Sequence, residues 1–93
     1  MDPHLPYELR EIERKLIELR NQLRELEEAL RMAREGRVRT AYRIYGGRLA
    51  IEIDPNNVEQ VIEEEIAITR TSIAVLEKRR EELLARLRKH VGE

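Results

Sequence analysis

Leu9, Ile12, Leu16, Leu19, Leu23, Leu26, Leu30 and Ala33 follow one another at alternating spacings of three and four residues, without a lapse. No Gly or Pro falls between Pro6 and Gly36 to interrupt them. Such a repeat keeps a narrow apolar seam on one side of a helix, and a seam that narrow is covered by a second helix lying along it. Pro6 suits the first helical turn, and Gly36 suits the left-handed residue after the last. The pattern predicts a helix over 6–35, about 45 Å long at 1.5 Å per residue.

The period then changes. Over 37–53, Val38, Thr40, Tyr42 and Ile44 alternate with Arg37, Arg39, Ala41 and Arg43. After Gly46-Gly47, Leu49, Ile51 and Ile53 alternate with Arg48, Ala50 and Glu52. A two-residue Gly-Gly loop fits a primed turn, which needs positive φ at both positions. That register predicts a β-hairpin pairing Ile44 with Leu49, Tyr42 with Ile51 and Thr40 with Ile53 on one apolar face.

Asp54 and Pro55 then read as the cap and first residue of a second helix over 55–91. Its seam is Ile62, Ile66, Thr69, Ile73, Leu76, Arg80, Leu83, Leu87 and His90, the same heptad with three polar intrusions. A short β connection turns the second seam back on the first, so Tyr7 is expected beside Val91. The fold class is mainly α: one domain over 1–93, an antiparallel two-helix coiled coil joined by one hairpin.

Composition narrows the function. The 93 residues are 41% hydrophobic and 40% charged, with three tyrosines as the only aromatics, so no bulky aromatic centre exists. Cysteine is absent, which excludes disulfides, thiolate metal sites and thiol nucleophiles. No apolar run approaches the ~20 residues of a membrane span, and no signal peptide opens the chain, so a cytoplasmic protein is expected. The net charge of −1 exerts no general pull on nucleic acid or anionic membrane. Fifteen of the eighteen basic residues are Arg, and Asn plus Gln number five, a mix that fits a hot environment or a GC-rich genome alike.

The apolar surplus points to an oligomer. Val61, Ile68 and Val75 recur every seven residues beside the seam, where the helix pair cannot bury them. A lone hairpin is marginal and its open edges invite another chain. Val38, Tyr42, Ile44, Leu49, Ile51, Ile53, Val61, Ile68 and Val75 are therefore the expected oligomer interface.

The stretch Ala41-Tyr42-Arg43-Ile44-Tyr45-Gly46-Gly47-Arg48-Leu49-Ala50 resembles the hairpin of the β-type prefoldin subunit, in motif over about 42–51 and in architecture over 9–91. One hairpin, rather than two, is similar to the β type and not the α type. The resemblance implies hairpins assembling into an intersubunit β-barrel, with coiled coils hanging from it as tentacles. It implies an ATP-independent holdase that grips unfolded proteins at the tentacle tips and passes them to a chaperonin. A homo-oligomer, or a hetero-oligomer with an α-type prefoldin subunit, would follow. Leu5, Tyr7, Leu84 and Val91 are the apolar candidates for client-binding tips.

No enzyme is expected, and no cofactor or metal. Gly46-Gly47-Arg48 leads into a strand and presents no helix N-terminus to a phosphate. Ser72, the only serine, has no histidine near it in sequence. Glu63, Glu64 and Glu65 point in different directions from a helix, and His4 with His90 lack a third ligand. Two alternatives stay open. One is a structural coiled-coil scaffold without chaperone activity. The other is nucleic-acid binding by a basic hairpin face of Arg37, Arg39, Arg43, Tyr45 and Arg48, since a β-ribbon can enter a major groove. Against the latter, the +5 charge of 31–48 faces −6 over 52–65 in the same chain.

Overall fold

A computed structural model describes residues 4–38 and 40–92, the side chains of 90–92 excepted. Helix α1 spans Leu5–Arg34, strands β1 and β2 span Ala41–Tyr45 and Leu49–Ile53, and helix α2 spans Val58–Gly92. The two helices pack on each other along their length and the strands form a two-stranded antiparallel sheet.

Ion pairs fix the antiparallel sense. Glu8 meets Arg79 at 2.9 Å, Glu13 meets Arg80 at 3.4 Å, Arg20 meets Glu77 at 3.4 Å, and Arg34 meets Glu63 at 3.0 Å. From the first turns of α1 to its last, the α2 partner moves from Arg79 and Arg80 through Glu77 down to Glu63. Arg80, a polar member of the seam, thus extends its guanidinium to Glu13 at the edge of the interface. Thr69, another, is buried.

The helix ends follow the local sequence closely. Gly36 takes φ +71°, and Arg37 N–H donates to Met32 O at 2.9 Å, closing α1 with a left-handed residue. Arg31 and Arg34 occupy its last turn, where cations complement the helix dipole. At the other helix, Asp54 Oδ1 accepts from Asn56 N–H at 2.9 Å, the expected cap. Pro55–Asn57, however, wind as a 3-10 turn, with Asn57 N–H donating to Asp54 O at 2.8 Å. The α-helix therefore begins at Val58 rather than Pro55.

The hairpin register differs from the expected one by a residue. Gly46 and Gly47 take φ +59° and +70°, and Arg48 N–H donates to Tyr45 O at 3.2 Å, as the Gly-Gly turn requires. Pairing nevertheless starts at Tyr45 with Leu49, followed by Ile44–Ala50, Arg43–Ile51, Tyr42–Glu52 and Ala41–Ile53. Arg48 is an extra residue between turn and ladder, so every side chain of one strand changes face relative to the other. The strands are also shorter than 37–53 suggested, and Val38 and Thr40 precede them.

The molecule measures 59 × 27 × 14 Å, with a radius of gyration of 18.2 Å. A compact chain of this length would have about 12 Å. Since a helix with its side chains is about 10–12 Å across, the protein is one helix thick. Each broad face of the pair has no second layer over it.

Candidate assembly surface at the hairpin end

The main cluster of buried side chains lies away from the hairpin, while Val58, Ile66 and Thr69 are buried outside it in the hairpin half of α2. Leu5, Ile12, Leu16 and Leu19 of α1 join Ile73 and Leu83 of α2 in one cluster, at the end away from the hairpin. Leu26, Leu30 and Ala33, nearer the hairpin, are only half-buried, although they continue the same seam. Between this looser stretch and the sheet lies a cleft of about 600 Å³, walled by Leu26 and Ala29 of α1, Val58, Val61 and Ile62 of α2, and Val38.

The changed register decides what the sheet presents. Ala41, Arg43 and Tyr45 share a face with Leu49, Ile51 and Ile53, while Tyr42 and Ile44 share the other with Ala50 and Glu52. The first face turns toward α2: Ala41, Arg43 and Ile53 are half-buried, and Arg43 Nη2 donates to Glu65 Oε1 at 2.6 Å. The Arg43 guanidinium carbon also lies 5.9 Å from the Tyr45 ring centroid, within cation–π range. The single apolar face expected from alternation is therefore split in two. Tyr42 and Ile44 are exposed on the second face, Ile44 at 68%, and also border the cleft, while Leu49 and Ile51 stay exposed toward the turn end of the inner face.

Each expected interface residue now has a place. Tyr42, Ile44, Leu49 and Ile51 are exposed on the sheet, and Ile68 and Val75 are exposed on α2. Val38, Ile53 and Val61 are half-buried around the cleft, so they belong partly to the subunit's own packing.

The expected tips fare differently. Leu5 is 4% exposed and belongs to the core, because it lies four residues before Leu9 and so extends the seam by one position. Its side chain is therefore not exposed at the tip, where the sequence placed it as a client-binding candidate. Tyr7 is exposed and Leu84 half-buried. The Val91 side chain lies outside the described residues, as does that of His90.

The basic ribbon is dispersed. Arg43 faces α2 and is paired, Arg37 Nη1 reaches Glu35 at 3.5 Å, Arg48 occupies the turn, and Arg39 lies outside the described residues. Glu63, Glu64 and Glu65 diverge as a helix demands: the first pairs with Arg34, the last with Arg43, and Glu64 accepts from Gln60 at 3.4 Å. Part of the acidic stretch thus neutralises its basic counterpart within the chain. Among the described residues no three His, Cys, Asp or Glu side chains group as metal ligands, and no helix is long and apolar enough to cross a membrane.

The Arg43–Glu65 clamp escaped the sequence reading, because it needs the shifted register to form. The heptad spacing marks Ile68 and Val75 on the outer face of α2 but not the width of that face, where Ala67, Thr71 and Ala74 are exposed beside them. Its signal was present: Arg70 is the only charge in 66–76 of a chain that is 40% charged. No family model, no curated protein and no solved structure matches the chain.

Proposed function

We propose that this chain is a cytoplasmic, prefoldin-like subunit that assembles through its hairpin end and acts as an ATP-independent holdase for unfolded protein. The observation that carries the reading is the exposure of Tyr42, Ile44, Leu49 and Ile51 on a two-stranded sheet at one end of a helix pair closed at the other. A sheet with apolar residues on both faces and two open edges is covered by further strands or by another subunit's helices. Hairpins joined in a barrel would satisfy edges and faces together, and a coiled coil would then project from each. Partners of the same chain or of the α type, and a chaperonin receiving the client, belong to this reading.

Leu5's burial favours a second reading, a passive coiled-coil scaffold. It leaves Tyr7 and Leu84 as the described apolar residues of the tip, a small surface on which to hold a client. Two assays separate these readings. Tyr42→Asp and Ile51→Asp, which strike opposite sheet faces, should each lower the mass seen by light scattering; two variants of parental mass would remove the hairpin base. The assembled parent should suppress aggregation of a denatured protein without ATP, and Tyr7→Ser with Leu84→Ser should reduce that suppression. A parent that assembles but suppresses nothing is the scaffold.

A further inference from the structure

The outer face of α2, on the side away from α1, carries the interface candidates Ile68 and Val75, but hairpin assembly alone does not say what covers it. Its middle is uncharged: Ala67, Ile68, Thr71, Ala74 and Val75 are all exposed, Ile68 at 56% and Val75 at 62%. Arg70, the one charge in the stretch, is directed to Glu27 of α1 at 4.0 Å. The Thr71 hydroxyl donates to Ala67 O at 3.0 Å, so its polar group is already satisfied. Seven residues to either side of Thr71, and hence on the same line of the helix, stand Glu64 and Lys78. Both are exposed, and neither forms an ion pair with another described residue, although the described residues carry many such pairs.

We infer that this face binds a second copy of itself, α2 against α2 in antiparallel sense, with the two-fold axis at Thr71. In that arrangement residues whose numbers sum to 142 lie at one height. Glu64 stands opposite the partner's Lys78, and Lys78 opposite the partner's Glu64. Ile68 and Val75 lie on one side of the Thr71 line and Ala67 and Ala74 on the other, so Ile68 meets the partner's Val75 while the alanines face each other. A parallel arrangement would instead set Glu64 against Glu64 and Lys78 against Lys78. Small residues let the helices approach, and the opposed charges fix sense and register more than they add affinity. The contact extends over about 21 Å of helix, and gives a layer one helix thick the neighbour it lacks. It is independent of the hairpin, and the two contacts together would link assemblies side by side.

The absence of cysteine makes a direct test available. Thr71→Cys places one thiol per chain at the proposed axis, and Ala85→Cys places one on the same helix line, fourteen residues away. Around an axis at Thr71 the two Ala85 positions are about 42 Å apart. Both variants are made in the Tyr42→Asp background, so that hairpin assembly does not contribute, and treated with a mild oxidant or a short bismaleimide. The Thr71→Cys chain should form a covalent dimer and the Ala85→Cys chain should not. Glu64→Lys should raise the dimer dissociation constant roughly tenfold, by making two attractions repulsive, and adding Lys78→Glu should restore it. No Thr71 dimer, equal cross-linking at both positions, or no rescue by the double charge swap would each overturn the interface. A loss of mass in Tyr42→Asp with the Thr71 cross-link retained would show the hairpin and lateral contacts to be separate.

Discussion

The two ends of the rod share one heptad pattern and reach different degrees of closure. Away from the hairpin, Leu16 and Leu83 are fully enclosed, and Leu5, Ile12, Leu19 and Ile73 complete the cluster. Near the hairpin, Leu26 and Leu30 are half-buried at equivalent seam positions, and Leu26 shares the wall of the cleft with exposed Tyr42 and Ile44. Leu dominates both halves of the α1 seam, with Ile12 in one and Ala33 in the other, so helix propensity does not make the difference. The facing residues do: Leu16 has Ile73, Leu76, Leu83 and Leu87 in its cluster, whereas in the hairpin half Val58, Ile66 and Thr69 are buried outside that cluster and α2 opens to a cleft beside half-buried Val61 and Ile62. One end is a finished two-helix core, and the other is half of one.

The largest test of that contrast is truncation within the seam. Leu83→Ala or Leu16→Ala should cost about 2–5 kcal/mol, the range for a fully buried Leu that leaves a cavity. Leu26→Ala and Leu30→Ala should cost about 1–2 kcal/mol, because half of each side chain is already in water and less transfer energy is lost. Thermal melts of the four variants, read under conditions where hairpin assembly is blocked, would rank them. If Leu26→Ala cost as much as Leu83→Ala, the two halves would be equally closed, and the contrast would be wrong.

Much of this plan was visible in the sequence, for reasons that lie in single residues. Gly36, Gly46, Gly47 and Asp54 act through their own backbone or the next two residues, and each behaves as its type requires. The antiparallel pairing follows from two long seams joined by the short segment 36–54. The register was not legible, because Gly-Gly sets the turn but not whether the next residue pairs or bulges. Arg48 bulges, and the resulting register directs Arg43 at Glu65, twenty-two positions away and on another element. The expected single-faced apolar hairpin lost to that tertiary contact. Leu5 was misplaced for a simpler reason: two prolines flank the start, yet Leu5 keeps the heptad spacing, and the core takes it in.

A smaller effect is expected from the Arg43–Glu65 pair, which holds the sheet to α2 at the open end. Its side chains are 38% and 32% exposed, so solvent screens it and the coupling should be about 0.5–1 kcal/mol in a double-mutant cycle of Arg43→Ala and Glu65→Ala. That coupling should fall with added salt, unlike the cost of Leu83→Ala. A coupling of zero would mean that the sheet's orientation on α2 rests on Ile53 and Ala41 alone. A value near that of a core leucine would mean the open end is more enclosed than its cleft suggests.

The smallest effect concerns acid. At the end of α1 nearest the hairpin, Arg31 bridges Glu28 and Glu35, meeting the latter at 2.8 Å. The hydrogen bond from Arg31 holds the Glu28 carboxyl below its ordinary value of 4.5, outweighing desolvation with help from the charges of Arg31 and Arg37. A carboxyl whose pKa is lower folded than unfolded leaves the unfolded chain binding more protons in that range. Its stabilising contribution is therefore full above about pH 5 and is lost as pH falls through the folded value. Glu28→Gln should lower the melting temperature slightly at neutral pH and match the parent in strong acid, where both side chains are uncharged. Leu16→Ala, by contrast, should keep its full deficit relative to the parent across the same range, since no proton is involved. A Glu28→Gln deficit independent of pH would assign the residue's contribution to packing or helix propensity. A deficit confined to neutral pH would show ion pairs steadying α1 where its apolar seam is least enclosed.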